Sequence, residues 1–284
     1  MDFNFKLDDS KCIGCGVCAK ACLTDAILIN EYKKPYMKDI GGKIGWQGCL
    51  RCQRCMAICP TGAISILGKN PNNSYAITDC ATPEQLEALI ACRRTCRSYQ
   101  HKQVDKALIA RMLKSVSNAP NGSCNQLVEF TIIDDIDVMD SFRKMAYDQM
   151  VALALRGIYP HRFSKGEYEQ MKTWENTKYD GDMLFATAPH LLVAHAPINR
   201  GEWITDVNIA LAYFELLLAA NGLGSIYLGF AMAAFEVMPE IKAKLNIPEN
   251  HFFSSMLGFG FPNYKFKRGV QRDGVNKINI IENI

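Results

Sequence analysis

The sequence predicts an α+β protein in two unequal pieces, and three observations predict it. Eight of the twelve cysteines lie between Cys12 and Cys59, in two copies of one spacing. A run of turn formers, GKNPNNS at 68–74, follows them and reads as a linker. Beyond it, a few strand-like runs are separated by long helical ones, which is the pattern of an α+β domain. A chain of 284 residues has room for one large domain or for two of unequal size. We place the cysteine module at 1–67, the linker at 68–81 and the larger domain at 82–284.

Composition narrows the function classes. Half of the residues are hydrophobic and a fifth are charged, an ordinary globular balance. A net charge of +3 is too small to argue for nucleic acid, and no basic run is interleaved with aromatics. The densest basic patch, Lys33, Lys34 and Lys38, is expected to be a solvated loop. The opening MDFNFKLDDSK has no apolar core and no cleavage site, so no secretory signal is expected there. The apolar run from Ile209 to Phe235 is broken by Glu215, Asn221 and three glycines. It is read as a buried helix followed by a strand, not as a membrane span. Twelve cysteines without a secretion signal fit a reducing, cytoplasmic setting and metal ligation rather than disulfides.

The first element to justify is the repeat. KCIGCGVCAKACLTDAILI is echoed by GCLRCQRCMAICPTGAISI: four cysteines, a short turn, then a small apolar strand at 27–29 or 64–66. A repeat this short cannot bury a core alone, so the two copies should pack on each other around what the cysteines hold. Each run has the spacing CxxCxxCxxxC of bacterial iron–sulfur modules, whose fourth cysteine ligates the other cluster. Cys12, Cys15, Cys18 and Cys59 are therefore assigned to one 4Fe–4S cluster, and Cys49, Cys52, Cys55 and Cys22 to the other. Structural zinc is the alternative, but zinc modules use paired CxxC elements. Gly14 and Gly16 suit close backbone approach to sulfur, although tight turns alone would also explain them. Residues 5–67 thus resemble a two-cluster ferredoxin. Leu23 stands where the second copy has Pro60, which changes the chain exit but not the ligands.

Residues 1–79 carry ten Lys/Arg against seven Asp/Glu, a formal +3 before any cluster is counted. The resemblance implies that free ferredoxins of this type are strongly acidic and steer to basic partners by that field. This module lacks the field, so it is expected to pass electrons mainly within its own chain.

In the larger domain, Thr82-Pro83-Glu84-Gln85 reads as a capping box opening a helix through about Cys92. Leu108, Ile109, Met112, Leu113 and Val116 form the apolar stripe of a second helix. A β-rich run at 128–133 precedes a helix at about 137–156, and 190–196 reads as a buried strand. A long apolar helix over 204–221 should stop at Gly222. A strand at 225–230, a helix at 236–245 and a strand at 252–259 complete the domain.

The stretch CRRTCRSYQHKQVDKALIARMLKSVSNAPNGSCNQLVEFTII, 92–133, carries the chemistry. Guanidinium groups and a hydroxyl at a helix terminus suit a phosphate, which arginine can grip bidentately. Small residues beside proline let backbone approach a flat ring, and an amide can satisfy its nitrogens and oxygens. RRTxR followed by APNGxxxQ resembles the nitroreductase family, with similarity over 82–272. The resemblance implies FMN. It implies that Arg93, Arg94, Thr95 and Arg97 meet the phosphate, the ribityl chain or the pyrimidine edge. Pro120, Asn121, Gly122 and Gln126 would line the ring across a dimer interface. GLGSIYLGF, 222–230, resembles the family's turn and strand whose backbone faces flavin N5, with Leu228 and Gly229 as candidates. It is not a dinucleotide fingerprint, since its spacing is GxGxxxxG and a helix precedes it. GFGFPNYKFKR, 258–268, resembles the family's C-terminal basic segment, making Arg268 a further phosphate ligand, with Lys267 and Arg272 as additional candidates. The family's ring-contacting asparagine is replaced by Cys124, with Asn125 one place later, so both are carried as candidates. The family's substrate-lid residues are not recognised within 140–190.

Other readings stand beside these. The arginines could be surface charges at a helix end, where cations are favoured. Cys92 and Cys96 read as small core residues. The five histidines show no metal spacing and read as structural. Tyr159, His161, Phe163 and Trp174 read as core, although they could line a substrate cavity.

The expectation is a two-cluster ferredoxin module fused to a nitroreductase-like FMN oxidoreductase. It would act as a homodimer through the 204–221 helix and the C-terminal arm. Its acceptors would be nitroaromatics, quinones or similar conjugated electrophiles, and its donors reduced ferredoxin or NAD(P)H. No nucleic acid or membrane partner is expected. The flavin carries the chemistry, so no catalytic side chain is assigned. The alternatives are an electron-transfer or redox-sensing protein acting on a protein partner, or another flavin reaction such as reductive dehalogenation or flavin breakdown.

Overall fold

A computed structural model describes residues 2–164, 166–167, 181–272, 274 and 276–282. The chain forms two compact units, one of residues up to 80 with 120–127, the other of 81–119 with the chain from 128 onward. Trp174 lies outside the described residues.

The first unit is the folded repeat. Its elements are β1 (Lys6–Leu7), α1 (Val17–Lys20), β2 (Ile27–Ile29), β3 (Pro35–Met37), α2 (Arg54–Ala57) and β4 (Ile64–Ser65). β1 pairs antiparallel with β4, and β2 with β3. The two copies pack on each other as expected. Cys18 and Ile27 of the first share a buried cluster with Cys49, Cys55, Met56, Ile64 and Ile66 of the second.

The second unit is a sheet covered on both faces. It contains α3 (Pro83–Cys92), α4 (Lys106–Val116), β5 (Glu129–Ile133), α5 (Ile136–Leu155), β6 (His190–Pro197) and α6 (Trp203–Ala220). There follow β7 (Gly224–Tyr227), α7 (Gly229–Phe235), α8 (Pro239–Ala243), β8 (His251–Phe252) and β9 (Met256–Gly260). The strands run β5-β6-β9-β7, all pairs antiparallel, with β8 pairing the far end of β6. Alternation along β6 explains its unbroken apolar sequence. Leu191 and Val193 pack into one core with α5 and α7, through Phe142, Tyr147 and Phe235. Leu192, Ala194 and Ala196 face the other core with α4 and α6, through Met112, Leu211 and Phe214. The nitrogen of Val104 donates to His190 Nε2 at 3.1 Å, and burial pushes that imidazole down to about 4, so it stays neutral and structural.

The capping box closes α3 as written: Gln85 N donates to Thr82 Oγ1 at 3.3 Å, and Thr82 N donates to Gln85 Oε1 at 3.0 Å. α6 ends before Gly222, whose φ of 70° suits a residue without Cβ. By length and composition α6 could cross a membrane. Its buried face, Val207, Leu211, Phe214 and Leu218, is instead spent on the sheet core, while Ile204 and Tyr213 are exposed.

Three expectations are corrected. The strand expected over 252–259 is two strands, β8 and β9. The strand expected through 230 stops at Tyr227, and Gly229 opens a helix. The helix expected over 236–245 is the single turn and a half of α8. Inside the α5 core, Arg143 Nε donates to Asp182 Oδ2 at 2.9 Å and its Nη2 to Ala188 O at 2.6 Å. Tyr147 Oη and the nitrogens of Phe185 and Thr187 also donate to Asp182.

Candidate functional site

The fold brings Cys22 to Cys49, Cys52 and Cys55, and Cys59 to Cys15 and Cys18. One apolar cavity is lined by Cys22 together with Cys49, Cys52 and Cys55. The Cys55 thiol, pushed up to about 12 by burial, also feels Cys49, Cys52 and Cys22. Cys18 is raised by burial and feels Cys59 and Cys15. The cross-over of the fourth cysteine is thus built into the fold. Cysteine thiols gathered in this way fit a 4Fe–4S cluster by donor chemistry.

The fourth cysteines are the most polar of the ligands. Ala26 N donates to Cys22 Sγ and Ala63 N to Cys59 Sγ, each at 3.3 Å. Thr24 and Thr61 hydroxyls stand 3.7 Å from the same sulfurs. Burial raises both thiols, but these hydrogen bonds outweigh it and hold Cys22 and Cys59 below the ordinary cysteine value. Such bonds favour the thiolate a cluster needs and tune its potential. Lys34, expected in a solvated loop, donates from Nζ to the carbonyls of Asp9 and Cys12, each at 3.1 Å.

The repeat breaks its own symmetry at two positions. Gly14 and Gly16 both take φ of 71°, in the left-handed region. Their counterparts in the second copy are Arg51 and Gln53, at φ 56° and 57°. A non-glycine residue there costs about 1–2 kcal/mol, so something else must favour arginine. Arg51 N donates to Cys49 Sγ at 3.4 Å, while its Nη2 donates to Asn125 O at 3.3 Å. One residue therefore touches both a cluster ligand and the Ala-Pro segment. Trp46 adds a second tie, Nε1 donating to Ser123 Oγ at 3.1 Å.

That segment, 120–127, belongs to the first unit. Ser123, Cys124 and Gln126 all take positive φ, and Asn121 Oδ1 holds the turn by accepting from Gln126 N at 3.0 Å. Pro120 and Gln126 are exposed, whereas Asn121, Gly122, Cys124 and Asn125 are half-buried. The Asn125 carbonyl, and not its side chain, carries the contact to Arg51.

The phosphate candidates lie in the second unit. A cavity of about 350 Å³ is lined by Arg93, Arg94, Cys92, Gly224, Ser225 and Tyr264, among others. Arg93 Nη1 donates to Glu215 Oε1 at 3.0 Å, and Ser225 Oγ donates to the same oxygen at 3.2 Å. Glu215, seen in the sequence only as an interruption, is thus the group that orients Arg93. Val270 N donates to Ala91 O at 3.2 Å, which returns the Lys267–Arg268 segment to the end of α3. Thr95, Arg97, Lys267, Arg268 and Arg272 are exposed. A half-buried arginine pair with exposed cations at one helix end fits a phosphate.

Other sequence readings change. The nitrogen of Leu228 already donates to Met256 O at 2.9 Å, whereas Gly229 is the first residue of α7, where no intrahelical acceptor exists. The glycines of GFGFP have a packing cause: a Cβ on Gly258 would meet Ala188 Cβ at 2.8 Å, and one on Gly260 would meet Pro189 Cγ at 2.5 Å. Cys96 is a small core residue beside Gly224, but Cys92 is exposed. Phe163 is buried against Phe230, while Tyr159 and His161 are exposed, the latter paired with Glu236 at 2.8 Å.

A double thiolate cage and a phosphate-suited cavity define an iron–sulfur flavoprotein class. Comparison with known proteins agrees. Residues 90–261 match the model of the Nitroreductase family, and 11–63 match a 4Fe-4S dicluster domain. The chain belongs to the nitroreductase family and carries a 4Fe-4S dicluster domain. An uncharacterised protein of Methanocaldococcus jannaschii is 36% identical over 63 residues, 22% of this chain. The chain spans only 21% of that relative's length. Ferredoxin-3 of Rhodobacter capsulatus is 27% identical over 73 residues, covering 20% of this chain and 72% of the ferredoxin. The crystal structure of a Bacteroides fragilis nitroreductase with bound FMN shares the fold, with a TM-score of 0.54 and 20% identity. That likeness covers 70% of this chain and all of the other.

Proposed function

We propose that the chain takes single electrons from reduced ferredoxin through its two clusters, or hydride from NAD(P)H directly at FMN, and reduces a nitroaromatic, quinone or similar conjugated acceptor at FMN. When bound, FMN supplies the conversion of single-electron input into two-electron output. The protein's own residues hold and orient. Arg93, Arg94, Thr95 and Arg97, with Lys267 and Arg268, grip the phosphate, and Glu215 aims Arg93. A homodimer forms through the exposed face of α6, Gly229 offers a backbone N–H to the ring, and Pro120, Asn121, Gly122, Cys124, Asn125 and Gln126 line the ring across the dimer interface. The module is kept in the cytoplasm as a built-in electron inlet.

The observation that carries this reading is Arg51. It sits between Cys49 and Cys52, bonds the Cys49 sulfur with its N–H and bonds the Ala-Pro segment with its guanidinium. A separate carrier that docks and leaves has no use for such a tie.

The test is steady-state reduction of a nitroaromatic by anaerobically purified protein, with NADH, NADPH and reduced ferredoxin compared as donors. Turnover with reduced ferredoxin should fall sharply when Cys22 is replaced by serine. Ferredoxin-driven turnover that ignores the loss of a cluster, or FMN reduction with no acceptor turnover, would overturn it.

A further inference from the structure

We propose that Glu129, His195 and His251 form a binding site for a zinc-type divalent cation at the open end of the sheet, separate from the clusters and from FMN. The sheet register places the three together. Glu129 of β5 is paired directly with His195 of β6, and His251 of β8 is paired with Pro197, two residues further along β6. Paired and i, i+2 residues point to one face of a sheet, so all three side chains rise from the same side. The ligand atoms lie within 4.8 Å of one another.

The imidazoles meet nitrogen to nitrogen, His195 Nδ1 being 2.8 Å from His251 Nδ1. Two Nδ1 atoms bound to one tetrahedral zinc stand about 3.3 Å apart, given bonds of ~2.0–2.1 Å. A slight opening of the pair accommodates the ion. The exposed Glu129 carboxylate can rotate in as third ligand, and water takes the fourth position.

The neighbouring groups favour ligation. Thr131 Oγ1 lies 3.1 Å from His195 Nε2. When that hydroxyl accepts from Nε2–H, the His195 tautomer is fixed with a bare Nδ1 lone pair facing His251, the arrangement typical of a metal-ligating histidine. His251 needs only to carry its proton on Nε2, so binding by the neutral pair releases none. Imidazole and carboxylate together suit zinc better than calcium or magnesium. The ion would staple three strands, of which β8 is two residues long.

The test uses the full-length protein loaded with its clusters and FMN, titrated with Zn²⁺ after dialysis against a chelator. One zinc per chain should bind beyond the iron content. Its X-ray absorption should show only nitrogen and oxygen neighbours at about 2.0–2.1 Å, not the ~2.3 Å sulfur distance of zinc at cysteines. His251→Gln and Glu129→Gln, both outside the tightest core, should abolish stoichiometric binding with iron and FMN content unchanged. Thr131→Val should weaken binding by about 10–100-fold. Absence of binding, a sulfur shell, or binding indifferent to His251→Gln and Glu129→Gln would each overturn the proposal.

Discussion

Arg51→Gly separates the two reasons an arginine could stand in a left-handed turn. Glycine relieves a backbone strain of about 1–2 kcal/mol at φ 56°, less the ~0.5–1 kcal/mol of chain entropy that glycine adds to the unfolded state. The cluster turn itself should therefore be no weaker, and iron content should not fall. The guanidinium bond to Asn125 O is lost, however, and a hydrogen bond from a charged donor contributes about 1.5–3 kcal/mol. At 1.36 kcal/mol per tenfold, local opening of 121–127 becomes roughly 10- to 150-fold more frequent. Hydrogen exchange by mass spectrometry on that peptide reads the change directly, and Trp46→Phe provides a milder companion through the lost bond to Ser123. Ferredoxin-driven turnover should fall in the same order. Unchanged exchange in Arg51→Gly would refute the reasoning, because the arginine would then have no measurable hold on the segment.

Other outcomes follow from the same geometry. Cys22→Ser should perturb the cluster held by Cys49, Cys52 and Cys55, and Cys59→Ser the one held by Cys12, Cys15 and Cys18; electron paramagnetic resonance of each variant should show the cross-over. Asp182→Ala takes one of two carboxylates from buried Arg143, which keeps Asp140, and removes the acceptor of Tyr147 Oη and of the Phe185 and Thr187 nitrogens; at about 1–3 kcal/mol for a buried donor left without its acceptor, the loss should be read as a lower urea midpoint. Arg93→Met should weaken FMN retention on gel filtration, and Glu215→Gln should do so to a smaller extent, since it removes only the group that aims the guanidinium.

What the sequence revealed, and what it hid, divides by the range of the interaction. The cysteine sets were legible because a short repeat forces its own ligand geometry, and the helices were legible because apolar period and caps are local. Glu215 looked like a flaw in an apolar helix because its partner, Arg93, is 122 positions away. Arg51 went unread between two cysteines, although comparison of the two copies offered a signal: Gly14 in one and Arg51 in the other marks a turn that accepts strain. The glycines at 258 and 260 were read only as part of the family's C-terminal segment; their packing cause, Ala188 and Pro189, was hidden because no local pattern announces a neighbour seventy residues away. The split of 252–259 into two strands was likewise hidden, since both halves are apolar.

The excursion of residues 120–127 has a consequence for how the protein is made. The first unit is not finished when residue 80 leaves the ribosome; it waits for a piece of chain some forty residues later. A cut at the linker would yield an iron–sulfur fragment without the 120–127 partners of Trp46 and Arg51. Gaining or losing the inlet in a related lineage would require rewriting this loop as well as adding or deleting a terminal segment.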